Sequence, residues 1–109
     1  MPSHFLDRSA CSHHRIFPGV DIFTASGEAI MLSVVEFQPG AIVADHAHPH
    51  EQMGILLEGE ADFTIAGETR TVRPGDLWRI PGGVRHGVVA GPRGARALDV
   101  FHPIREDYR

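Results

Sequence analysis

The chain has 109 residues, 42% hydrophobic and 22% charged, with a formal net charge of −4. That is one globular domain's worth of protein, and its acidic balance offers no electrostatic footprint for nucleic acid. All ten basic residues are arginine, which removes lysine Schiff-base chemistry and a phosphate-loop lysine; no apolar run approaches the ~18 residues of a membrane-spanning helix.

The first fifteen residues, Met1 to Arg15, lack the apolar segment of a secretory signal and read as an N-terminal arm. Cys11 is the single cysteine, so no internal disulfide can form. Both features favour the cytoplasm. His4, His13 and His14 in the arm are expected to be solvated. Beyond it, turn signals recur at short intervals: Ser26-Gly27, Pro39-Gly40, Glu58-Gly59, Ala66-Gly67, Pro74-Gly75, Pro81-Gly82-Gly83 and Gly91-Pro92-Arg93-Gly94. The runs between them are rich in Val, Ile, Phe and Thr and carry no helical period, the pattern of an all-β sandwich or barrel. Strands are expected near residues 20–25, 29–37, 42–48, 52–58, 61–66, 69–73, 77–80, 85–90 and 95–102, within a single domain spanning 1–109.

The run 29–37, Ala-Ile-Met-Leu-Ser-Val-Val-Glu-Phe, is apolar on both faces. Such a strand lies between two sheets or at a subunit contact. Met31, Val35 and Phe37 are candidates for an outer face that meets a second copy, which makes a homodimer the expected assembly. A strand wholly inside the core is the alternative.

His46 and His48 follow in a segment that reads as extended. Side chains two apart in a strand share a face, with Cα atoms ~6.5–7 Å apart, and two imidazoles at that spacing can close on one ion through bonds of ~2 Å. His86, in a later strand, would supply a third ligand. HxH alone is a weak signal, but its frame is not. Gly40 is followed by five residues, His46-x-His48, three residues, Gln52, six residues and Gly59; Gly75 is followed by five residues and Pro81-x-Gly83-x-x-His86. These spacings resemble the two signatures of the cupin superfamily. The resemblance covers about residues 20–102 and implies a double-stranded β-helix, or jelly-roll barrel.

It also implies one divalent transition metal ion (Zn, Ni, Fe, Mn, Co or Cu) held by His46, His48, His86 and a fourth ligand. Where the signature has Glu, this chain has Gln52. A subset of small cupins carries Gln there with its amide oxygen as ligand, and that role is carried over to Gln52. Glu51 has the opposite strand parity and should point away; His50 has the right parity, but Pro49 interrupts the ladder. A neutral shell of three His and one Gln favours Lewis-acid over oxidative chemistry.

The last informative stretch is Leu98-Asp99-Val100-Phe101-His102-Pro103-Ile104-Arg105-Glu106-Asp107-Tyr108. Alternation puts Asp99 and Phe101 on one face, and an Asp in an apolar strand is costly to bury unless paired or functional. With Leu98 and Val100 outward, Asp99 and Phe101 face the cavity and Arg105 folds over the mouth. The plain alternative is an Asp99–Arg105 ion pair stapling the C-terminus. The stretch resembles the ending of pectin-degradation cupins, which open the ring of 4,5-unsaturated uronates. That resemblance implies active-site roles for Asp99, Phe101 and Arg105 and a small anionic, sugar-acid-like substrate. Another metal-cupin activity (dioxygenase, decarboxylase or lyase) and a non-catalytic binding or sensor module remain the alternatives.

Overall fold

The computed structural model describes residues 3–109. Eight strands follow in order: β1 (Ser12–Phe17), β2 (Val20–Ser26), β3 (Met31–Phe37), β4 (Ile42–His46), β5 (Glu51–Ile65), β6 (Glu68–Val72), β7 (Leu77–Ile80) and β8 (His86–His102). Short 3₁₀ turns cover Arg8–Ala10 and Glu106–Tyr108. Every pairing is antiparallel. The C-terminal half of β8 lies between β3 and the N-terminal half of β5, and its N-terminal half lies between β4 and the C-terminal half of β5. β2 and β1 extend the first layer beyond β3, β7 closes its other edge on β5, and β6 edges the second layer. Two layers built on the same two long strands make the expected all-β double-stranded β-helix.

β5 and β8 are each continuous where sequence reading expected two strands apiece. The turn signals at Gly59 and Gly94 are bends, not breaks. Gly59 adopts φ 78° and packs so closely that an added Cβ would collide with the Gly94 carbonyl. Only glycine combines that backbone with that approach, so both strands turn together and feed both sheets.

The core between the layers contains Val20, Ile22, Val35, Leu56, Phe63, Trp78, Ile80 and Val88. Each such aliphatic or aromatic side chain contributes ~1.5–3 kcal/mol on burial. Inside β3 the faces are the reverse of one expectation. Met31, Ser33, Val35 and Phe37 point into the core, and Leu32, Val34 and Glu36 face outward. The run is apolar on both faces, so composition left parity open; pairing with β8 across Ser33↔Asp99 and Phe37↔Ala95 decides it.

The N-terminal segment also departs from a loose arm. Residues 12–17 form β1, antiparallel to β2. His13 stacks on Phe23 with ring centroids 4.6 Å apart and bonds Asp21, and half-buried His14 donates from Nε2 to the Tyr108 carbonyl at 3.1 Å. These two histidines are therefore structural rather than merely solvated. Among the described residues no helix is long and apolar enough to cross a membrane.

Candidate metal centre

His46 ends β4, His48 lies two residues beyond it rather than inside the strand, and His86 opens β8 opposite His46. The chain leaves its ladder at residues 47–50, around Pro49, and re-enters at Glu51. The three imidazoles nevertheless converge, each offering a ring nitrogen within 4.8 Å of the others. His86 is 3% exposed and His48 9% exposed, while His46 is half-buried toward the mouth. Glu51 is exposed, as its parity requires.

The donor set fits a cation. Nδ1 of His46 lies 2.8 Å from the Ala44 carbonyl, Nδ1 of His86 2.9 Å from the Val84 carbonyl, and Nδ1 of His48 3.1 Å from the His50 carbonyl. A carbonyl only accepts, so in His46 and His86 Nδ1 carries the proton and Nε2 presents a lone pair, the arrangement of metal-binding imidazoles. Burial first, then the nearby Arg105 charge, pushes His48 down to about 4. Burial likewise lowers His86. Both are therefore neutral, as ligands must be.

Gln52 sharpens the fit. It is buried on β5, and its side chain is hydrogen-bonded to Asp99. A carboxylate accepts, so the Gln52 amide nitrogen faces Asp99 and its oxygen faces the histidines. That Oε1 lies 3.0 Å from His48 Nε2. Neutral His48 thus has an acceptor oxygen at each ring nitrogen and one proton to share between them, a mismatch that a cation bound by Nε2 and the Gln52 oxygen would relieve.

Asp99 and Phe101 both point inward from β8 and are buried, while Leu98 and Val100 are half-buried on the outer face. Arg105 turns back over the cavity. Its Cζ lies 3.8 Å from the Tyr108 ring centroid and 5.2 Å from that of Phe101, whose ring meets His48 edge-on at 5.7 Å. The Asp99–Arg105 ion pair does not form; Arg105 pairs with Asp107, Nη2 to Oδ2 at 2.9 Å. A cavity of about 50 Å³ is lined by His46, Gln52, His86, Asp99, Phe101 and Arg105, with Ser33 and Tyr108 also on its wall.

Two residues that the motifs did not point to shape Asp99. Trp78 Nε1 donates to Asp99 Oδ1 at 2.9 Å, and Gly54 sits between them in register with both. A Cβ on Gly54 would collide with Asp99 Oδ1 and the Trp78 indole nitrogen. The only sequence signal for Trp78 is alternation in Leu77-Trp-Arg-Ile80, which puts Trp78 and Ile80 inward together. Burial raises Asp99 to about 6 despite the hydrogen bonds from Gln52 and Trp78. Gly54→Ala is expected to cost ~1–3 kcal/mol through overpacking, read by urea unfolding, and to break the Trp78–Asp99 hydrogen bond.

The chain is similar to proteins of one family. The cupin domain model matches residues 33–101. Over 80 residues the chain is 34% identical to the pectin degradation protein KdgF of Dickeya dadantii, covering 72% of this chain and 73% of that one. It is 38% identical over 72 residues to the dimethylsulfoniopropionate lyase DddW of Ruegeria pomeroyi, covering 66% of this chain and 47% of that longer protein. The solved structure of KdgF from Halomonas sp. aligns with a TM-score of 0.87 at 29% identity, covering 97% of this chain and 98% of that one. A jelly roll on two shared strands, a histidine cluster at one mouth and the matched domain together make the chain a member of the cupin family.

Proposed function

We propose that this protein is a metal-dependent enzyme that opens the ring of 4,5-unsaturated uronates. The observation that carries the reading is the meeting of Asp99, Phe101 and Arg105 with His46, Gln52 and His86 around one cavity. Similarity to the pectin degradation proteins supports the substrate class. A divalent transition ion held by His46, His48, His86 and Gln52 would supply Lewis-acid polarisation of a substrate oxygen.

The chain's own groups divide the remaining work. Arg105, held between Phe101 and Tyr108, takes the substrate carboxylate; Asp107 occupies its Nε and Nη2 positions, and the Nη1 side remains for the ligand. Phe101 gives the ring an apolar wall. Asp99 accepts the proton of the anomeric hydroxyl as the C1–O5 bond breaks, leaving an aldehyde at C1 and an enolate at C5. Protonation at C4 then yields the ketone, so the reaction is an isomerisation with no co-reactant. A carboxylate with its pKa near 6 suits proton transfer in both directions near neutral pH. The cavity volume of about 50 Å³ is small for a sugar ring, since complete small-molecule pockets run from ~300 Å³. Admitting the ring therefore requires the cavity to widen.

The test is loss of the conjugated enol-ether absorbance of an unsaturated uronate. Metal-loaded protein should accelerate it over the spontaneous rate, and chelation should return it to that rate. Absence of acceleration sinks the reading. Similarity to the dimethylsulfoniopropionate lyase supports one alternative, elimination from a small acid, and release of dimethyl sulfide from that compound would favour it. A non-catalytic binder would be stabilised by the uronate and leave it intact.

We further propose a homodimer through the outer face of β3, β8, β5 and β7. Leu32 pairs with Val100, Val34 with Leu98, Met53 with Val100, and Ile55 with Leu98 and Leu77, giving a continuous apolar surface across four strands. Leu32, Met53 and Leu77 are 43%, 49% and 71% exposed. Scattered exposed apolar residues need no explanation, but a contiguous sheet face does. An apolar centre at Leu98 and Val100, with Arg79 beside Met53 and the Glu36–Arg96 pair at its rim, suits the isologous two-fold contact with a second copy. Light scattering should give twice the chain mass, and Val100→Arg should reduce it to one.

A further inference from the structure

Ser33 is the one polar side chain among the four that β3 turns inward; its neighbours on that face are Met31, Val35 and Phe37. It is 1% exposed, lines the cavity, and its hydroxyl has no hydrogen-bond partner among the described residues. A buried hydroxyl without a partner is destabilising, and alanine at the same place would avoid that cost.

The reason its hydroxyl is unmatched lies across the sheet. Ser33 pairs with Asp99 on one side and with Thr24 on the other. Directly opposed side chains on one face have Cβ atoms only ~4.5–5.5 Å apart, so Asp99 is the natural partner. Asp99 leans the other way, over Gly54, to accept from Trp78 on β7 and Gln52 on β5. Thr24 is committed too, donating from Oγ1 to the Tyr108 carbonyl at 2.5 Å. The absence of a side chain at Gly54 leaves room for Asp99 to lean away from Ser33, and both residues line the same cavity. That cavity thus presents a carboxylate, an unpartnered hydroxyl and the Arg105 guanidinium together.

We infer that Ser33 is a substrate-recognition residue whose hydroxyl hydrogen-bonds an oxygen of the small acid bound between Asp99 and Arg105. Naming that oxygen as a ring hydroxyl of a uronate rests on the function proposed above; the recognition role itself rests on the unpartnered hydroxyl facing the cavity. Ser33 orients the ligand and transfers no proton. Its loss therefore weakens binding more than turnover.

The experiment compares metal-loaded wild type, Ser33→Ala and the near-isosteric Ser33→Cys. Two quantities are read: steady-state ring opening of an unsaturated uronate, and thermal unfolding with and without saturated galacturonate as a probe. Both variants should keep full metal content and unfold, without ligand, no earlier than wild type. KM should rise about tenfold with kcat within about threefold, as expected for one lost hydrogen bond, and the thermal shift from galacturonate should shrink. A ligand-free midpoint lowered by more than a few degrees in both variants, or a KM and galacturonate shift equal to wild type, overturns the inference. If wild type does not open uronates at all, the uronate reading fails by itself. The Ser33 role is then decided by ligand-free stability and the galacturonate shift.

Discussion

In His86→Ala the affinity for divalent transition metal should fall by more than about 100-fold, since loss of a mere supporting partner of a ligand already costs ~10–100-fold. His86 is the most buried of the three imidazoles, and its Nδ1 is anchored to the Val84 carbonyl. Its removal leaves His46 and His48 with Gln52, too few ligands for a closed four-coordinate shell. Metal analysis after dialysis should then show an ion retained by wild type and lost by the variant, with ring-opening activity falling in step. Stability offers an independent readout. An ion at ~100 times its dissociation constant stabilises the fold by ~2.7 kcal/mol, so added metal should raise the wild-type unfolding midpoint and leave that of the variant unmoved. A variant that keeps a stoichiometric ion would remove His86 from the centre.

Removing Gln52 should act more gently and in a diagnostic way. Its oxygen faces His48 Nε2 because Asp99 holds its amide nitrogen. Gln52→Glu places a carboxylate beside buried Asp99, where two negative charges compete for one pocket. The neutral amide is thus matched to this chain's own second carboxylate. That coupling reaches from β5 to β8 and cannot be read from the spacing of either motif.

What was legible in the sequence had a local cause. Alternation and turn chemistry mark most strands to within a few residues, and the glycine, proline and histidine spacings locate the ligand cluster. Alternation puts Asp99 and Phe101 on one face, and the barrel decides that this face is the inward one. What escaped depended on partners distant in the chain. β1 is polar in His13-His14-Arg15, and it is a strand because Phe23, Asp21 and the Tyr108 carbonyl receive its side chains. The faces of β3 were ambiguous until pairing with β8 fixed them. Gly54, Trp78 and Ser33 meet Asp99 from 45, 21 and 66 positions away along the chain, which no local pattern reveals. Arg105 was expected over the mouth, yet its partner is Asp107 rather than Asp99, because Asp99 lies deeper and is already hydrogen-bonded by Trp78 and Gln52.

Asp99→Asn should separate chemistry from folding. The asparagine keeps one acceptor for the Trp78 N–H but offers a donor toward the Gln52 amide, so metal affinity should weaken moderately while saturating metal still fills the site. Proton transfer by a positioned side chain contributes ~10²–10⁴-fold, and kcat at full metal loading should drop by that order. A variant within tenfold of wild type would exclude Asp99 as the proton carrier. Stability should move the opposite way with pH. Burial raises Asp99 from 3.8 to about 6 in the folded chain, so between those values the folded state holds a proton that the unfolded state has released. Stability from this group is therefore full below about pH 4, falls as pH rises toward about 6, and is flat above. The shift corresponds to about 3 kcal/mol. Asparagine does not titrate there. In metal-free protein the unfolding free energy of Asp99→Asn minus that of wild type should increase by that order between pH 4 and pH 7. His48, His86 and the remaining carboxylates are present in both proteins, so their titrations largely cancel in the difference. A flat difference would mean that Asp99 is as readily ionised in the barrel as in water, and the carboxylate poised for proton transfer would lose its physical basis.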